Sequence, residues 1–175
     1  MHVTSVGSTR GTAVVFVTMG SQKFQFDRLL RAVDELVGSG GIPEPVFAQV
    51  GACTYEPTNI EWAAFIDRDE FKGRMAAADV VITHGGTGAI IGAVKAGKKV
   101  VAVPRLACYG EHVDDHQVEI VRQFADMGLI EPCIDVADLG PAYANAKRSS
   151  YRPYVSNTDV FVADLRFYLE SIGSK

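Results

Sequence analysis

The chain has little of what several protein classes require. Its 175 residues include three cysteines, Cys53, Cys108 and Cys133, an odd number at irregular spacing. That excludes a disulfide framework and a zinc knuckle and fits a reduced cytosol, with the thiols read as small buried apolar groups. Lys and Arg number 17 against 21 Asp and Glu, a formal charge of −4, and they nowhere form a dense basic run. Nucleic acid is therefore not an expected partner, because such a surface needs a concentrated positive footprint. No segment approaches the roughly 18 apolar residues needed to cross a bilayer, and Met1 to Thr12 has no continuous apolar stretch. Residues 1–12 read as a flexible leader and 13–175 as one domain, since 47% hydrophobic content supplies one sizeable core and two full domains would be cramped.

Two phosphate-loop signatures are also missing. No glycine string ends in Lys followed by Ser or Thr at Walker spacing. The dinucleotide fingerprint Gly-x-Gly-x-x-Gly is absent after the first strand, where the chain reads Gly20-Ser21-Gln22-Lys23. A nicotinamide-dependent oxidoreductase is the reading that this absence counts against. There is no internal repeat and no low-complexity tract.

What is present is an alternation of short β-branched runs with segments of helical period. Strands are expected at Ala13–Thr18, at Val46–Val50, within Ile60–Ile66, at Val80–Thr83 and at Lys99–Val103. Helices are expected from Phe26 to the glycines at 38–41, at Glu70–Ala78, at Gly88–Ala96 and at Val113–Met127. A tail helix, Asp159–Ile172, is expected to carry Phe161, Leu165, Tyr168, Leu169 and Ile172 on one side, and 135–156 reads as loop-rich. Such alternation specifies an α/β fold, a Rossmann-like parallel sheet with helices on both faces. Tyr109, Trp62 and the phenylalanines read as packing groups.

In open sheets of this kind ligands collect beyond the carboxyl ends of the strands. Three loops there are chemically loaded: Met19-Gly20-Ser21-Gln22, His84-Gly85-Gly86-Thr87-Gly88, and the stretch from Pro104-Arg105 through Tyr109-Gly110-Glu111-His112 to Asp115-His116-Gln117. The second opens a helix, where backbone N–H groups and aligned peptide dipoles favour an anion. Together the loops offer N–H donors, hydroxyls, a guanidinium and sugar-binding side chains, a set suited to a diphosphate joined to a polyol. Asp114, Asp115 and His116 also suit the first turn of a helix, where acids offset the dipole.

The strings VFVTMGSQKFQFDRLL, THGGTGAIIGAVKAGKKVVAVPR and GEHVDDHQVEI, in that order, resemble the C-terminal, nucleotide-sugar-binding domain of glycosyltransferase family 28. The similarity is greatest to the free-standing subunits of two-component transferases of the exopolysaccharide and lipid-linked chitobiose type. The resemblance covers nearly all of the chain after Thr12. It implies the donor-binding half of a GT-B fold, the second half requiring roughly another 150 residues. It implies a UDP-sugar donor, a lipid-linked saccharide acceptor, inversion at the anomeric carbon, and a membrane-anchored acceptor-binding partner subunit that holds the chain at the cytoplasmic face of the membrane.

Residue by residue, the resemblance sets Gly85, Gly86, Thr87 and Gly88 against the donor diphosphate with His84 beside them, and Gly20 and Ser21 over the phosphates. Asp115, His116 and Gln117 match the segment that reads sugar hydroxyls, with Glu111 and His112 close by, and Arg105 is set for phosphate or uracil. Many relatives carry Glu at the position of Gly92, where it holds the ribose; here Lys95 or a partner residue is the expected substitute. The leaving diphosphate is stabilised by N–H groups, so no metal and no other cofactor is expected. The general base is expected on the partner, with His116 the candidate within this chain. A non-catalytic nucleotide-sugar-binding or regulatory module is the alternative reading.

Overall fold

The computed structural model describes residues 14–156 together with Thr158, Val162, Ala163, Leu165 and Arg166. The expected leader and most of the expected tail helix lie outside the described residues.

Among the described residues, six strands form one sheet: β1 (Val15–Thr18), β2 (Val46–Gln49), β3 (Glu61–Ala63), β4 (Val80–His84), β5 (Lys99–Val103) and β6 (Glu131–Pro132). Their order is β3-β2-β1-β4-β5-β6, and every pairing is parallel. Within residues 14–156 the helices are α1 (Asp27–Gly38), α2 (Arg68–Ala77), α3 (Thr87–Lys95), α4 (His116–Asp126) and α5 (Leu139–Arg148), with 3₁₀ turns at Ala107–Tyr109 and Val136–Asp138.

The near-continuous apolar runs of the central strands follow from burial on both faces. Val15 and Val17 of β1, Ile82 of β4 and Val101 and Val103 of β5 meet Leu29, Leu30 and Val33 of α1 and Leu139 and Tyr143 of α5. The alternate residues Phe16, Val81, Val100 and Ala102 face the other way, against Met75 of α2, Ile90, Ala93 and Val94 of α3 and Val121 of α4. Period-two alternation thus sorts one strand's side chains between two cores.

Several expectations need correction. The segment read as loop-rich contains α5, whose Leu139, Ala142, Tyr143 and Ala146 are buried at helical spacing. Gly140 and Pro141 occupy its first turn, where proline costs no intrahelical hydrogen bond. Helix α4 begins at His116 rather than Val113, because Gly110 takes a left-handed conformation and the chain between them forms turns. Strand β6 has two residues and includes a proline, which an edge strand tolerates. Cys133 is buried as expected and Cys53 half-buried, but Cys108 is exposed. Trp62, Phe65 and Tyr109 are likewise exposed rather than packed inside.

Candidate functional site

Strand order reverses direction between β1 and β4, so the connections leaving these neighbours run to opposite faces and open a crevice at their carboxyl ends. An open cavity of about 940 Å³ occupies that crevice. Gly20, Ser21, His84, Gly86, Thr87, Gly88, His112, His116 and Gln117 all line it, so three separated motifs meet at one place.

The floor is the start of α3. Its N-cap is Gly86, which supplies no side-chain cap, and its first turn holds no acid. The first intrahelical bond runs from Ile90 N–H to Gly86 O at 3.1 Å, so the N–H groups of Thr87, Gly88 and Ala89 precede the ladder, and all three residues border the cavity. Uncapped donors at the positive end of a helix dipole constitute an anion site in waiting.

His84 closes β4 beside this turn. Its Nδ1 accepts the Gly86 N–H at 3.0 Å, which in the neutral ring leaves the proton on Nε2. Burial pulls its pKa from 6.5 down to about 4, and the positive charge of Arg105 adds to the effect against an opposing hydrogen bond with Gln117. The ring is therefore neutral at physiological pH. It is wedged between two glycines: a Cβ on Gly20 would stand 2.6 Å from Nε2, and one on Gly86 would stand 2.2 Å from Cε1. Gly20 also has φ +80°, a left-handed conformation that side chains rarely adopt.

Four residues expected at the site are placed elsewhere. Arg105 is 2% exposed; Nη1 donates to Phe24 O, Gln25 O and Glu111 O, and Nη2 donates to Met19 O at 2.5 Å. It ties the loop after β1 to the loop after β5 and is not among the residues that line the cavity. Glu111 is fully buried and accepts from Arg28 Nε and Nη2 and from Leu106 N–H. Asp115 accepts the Ala107 N–H at 2.7 Å, outside the cavity wall. Gly85 lies behind the turn, where a Cβ would meet Gln117 and Val121 of α4 at 2.9 Å. Gln117 itself is 3% exposed and accepts the Arg105 N–H through Oε1 while bordering the cavity.

The opposite wall contains residues that sequence reasoning missed: Gln49 at the end of β2, and Asp67, Arg68, Phe71 and Lys72 at the start of α2. Asp67 caps α2 by accepting from the N–H groups of Asp69 and Glu70 at 2.9 Å. The signal was the Asp67-x-x-Glu70 spacing, a helix-start signature placed one loop after an edge strand. Lys95 does not reach the cavity; its Nζ lies 5.3 Å from the Tyr154 ring centroid. Lys72 instead borders both the cavity and the shallow groove beside Gly92.

The sheet order and the crevice at its switch point define a Rossmann-like layer with an anion-ready floor. The chain belongs to glycosyltransferase family 28: the family's C-terminal domain profile matches residues 14–162. Among solved structures it is similar to CalG4, the calicheamicin glycosyltransferase (TM-score 0.59, 20% identity, 83% of this chain and 36% of that one). It is also similar to MurG of Acinetobacter baumannii (TM-score 0.56, 21% identity, 93% and 54%) and to ALG13 (TM-score 0.57, 15% identity, 86% and 92%). The chain thus spans well under two thirds of the first two proteins and nearly all of ALG13. Likeness at these identities is a likeness of fold, here the C-terminal half of GT-B glycosyltransferases. A comparison with curated protein sequences finds no match. Among the described residues, no helix is long and apolar enough to cross a membrane.

Proposed function

We propose that this domain binds a UDP-sugar in the crevice between β1 and β4 and is the donor half of an inverting hexosyltransferase. In this reading a membrane-anchored partner chain supplies the acceptor half, and the pair extends a lipid-linked saccharide at the cytoplasmic face. The observation that carries the reading is the uncapped start of α3, Gly86 to Ala89, laid open to a cavity large enough for a nucleoside diphosphate sugar. Family membership and the near-complete overlap with ALG13 support it.

The chemistry follows from the groups present. Departure of a nucleoside diphosphate from an anomeric carbon builds negative charge on the leaving phosphates. The N–H groups of Thr87, Gly88 and Ala89 are fixed before reaction and meet that charge, each such donor being worth about 3 kcal/mol in a transition state. Neutral His84 stands beside them at the end of β4 and adds no charge that would compete with theirs. His112, His116 and Gln117 line the same cavity, and in this reading they are the groups that contact the sugar hydroxyls. The base that deprotonates the acceptor hydroxyl is assigned to the partner.

Gly88→Asp tests this. A Cβ at Gly88 meets nothing within 4 Å, so the substitution adds a carboxylate without a clash. An acid in the first turn complements the helix dipole by about 0.5 kcal/mol, so the variant stays folded while repelling an anion. Calorimetric titration is expected to show UDP binding to the parent chain, little or no NAD binding, and at least roughly tenfold weaker UDP binding to the variant. Equal UDP affinity in both, or NAD binding in place of UDP, overturns the reading. Co-expression with an acceptor-binding subunit then separates a transferase, which turns over, from a module that only binds.

A further inference from the structure

One cluster at the cavity rim is built from different chemistry than the floor. His112, Asp114 and His116 offer ligand atoms that all lie within 4.8 Å of one another. His112 Nδ1 stands 3.2 Å from Asp114 Oδ1, His116 Nδ1 sits against the same oxygen, and the two imidazoles meet edge to face with centroids 4.8 Å apart. The His112 side chain is 10% exposed, and its Nδ1 is buried with no hydrogen-bond partner of acceptable geometry. A buried ring nitrogen without a partner is costly in a finished core and calls for an occupant.

We infer that His112, Asp114 and His116 form a binding site for a divalent transition metal of the zinc class. Two imidazole nitrogens and one carboxylate are the donor set that borderline-soft cations select, whereas Mg²⁺ and Ca²⁺ prefer all-oxygen cages. Bonds of about 2.0–2.1 Å at tetrahedral angles separate neighbouring ligand atoms by about 3.3 Å, close to the 3.2 Å between His112 and Asp114, while the exposed His116 ring has to draw back from the oxygen it touches to admit the ion. The backbone N–H of His116 donates to Asp114 Oδ1 at 3.2 Å and so orients the carboxylate, the kind of outer contact that ligating groups ordinarily receive. Asp115 takes no part, since its carboxylate accepts from Ala107 N–H. Three protein ligands leave a fourth position for an oxygen, and His112 and His116 both border the cavity. An oxygen of water or of a cavity ligand completes the sphere.

The test uses metal alone, so its outcome is independent of whether UDP binds. The exposed Cys108 thiol is replaced by serine in every sample to remove a competing zinc ligand. Calorimetry in chelator-free buffer is expected to show one Zn²⁺ per chain and no uptake of Mg²⁺. Co²⁺ is expected to give the visible spectrum of a tetrahedral site with nitrogen and oxygen ligands. Asp114→Asn and His116→Ala, both at exposed positions, are expected to weaken Zn²⁺ by roughly tenfold or more with the circular dichroism unchanged. Zinc affinity identical in parent and variants, or no one-to-one binding at micromolar zinc, overturns the inference.

Discussion

His84 shows how one side chain couples the site to the stability of the whole domain. Its folded pKa of about 4 lies below the ordinary 6.5 because charging the ring would strand a cation in a buried slot beside Arg105. Between those two values the unfolded chain binds a proton that the folded chain refuses. Stability is therefore full above about pH 6.5, falls as pH drops, and levels off for this group below about 4, a loss of at most about 3 kcal/mol. Urea unfolding from pH 7 to pH 4.5 is expected to show that slope, and His84→Asn is expected to flatten it. Glu111 gives a second prediction. Fully buried and paired with Arg28, it is expected to cost about 3 kcal/mol on replacement by Gln, with little change in UDP affinity, because it lies behind the wall rather than in it. A urea midpoint shift without a calorimetric shift is the signature. The letters disclosed which residue types gather at this rim, but not their direction. Arg105 and Glu111 are polar residues among polar residues in the string, and only the packed loops show that their hydrogen bonds are already satisfied by backbone carbonyls, by Arg28 and by Leu106.

Among the elements, those with one strong period were legible and those with competing signals were not. Helix α1 lies where its apolar spacing put it, and β4, α3 and β5 fall within a residue of expectation. Helix α5 was hidden because Gly140 and Pro141 look like loop punctuation, although Leu139, Ala142, Tyr143 and Ala146 carry a clear stripe. Leu139 is 2% exposed in the same core as α1, so Leu139→Ala is expected to lower stability by about 3 kcal/mol, the cost of a core leucine and not of a loop residue. Thermal unfolding measures it. Helix α2 was expected two residues late, and with it went Asp67 and Arg68 on the far wall of the cavity. The start of a helix is set by the cap, which is a single residue, whereas its body is set by a repeating pattern.

Over the whole molecule, parallel layering was readable because strands buried on both faces leave continuous β-branched runs. The edge strands were less so: β3 has three residues and β6 two, and neither is long enough for a period to show. The crevice depended on topology, a property of the assembled sheet that no local window contains.

That topology also governs the chain's assembly. The earliest of the described strands is central: Val15 finds one partner at Val46 and the other only at Val80. During biosynthesis β1 holds one unpaired apolar edge through the making of α1, β2, β3 and α2, and no hairpin shields it, since every pairing needs a crossover. Folding is therefore a late, collective event dominated by distant contacts, slow by the standards of helical domains. Until β4 arrives, the nascent chain is at its greatest risk of pairing with a neighbour instead of with itself.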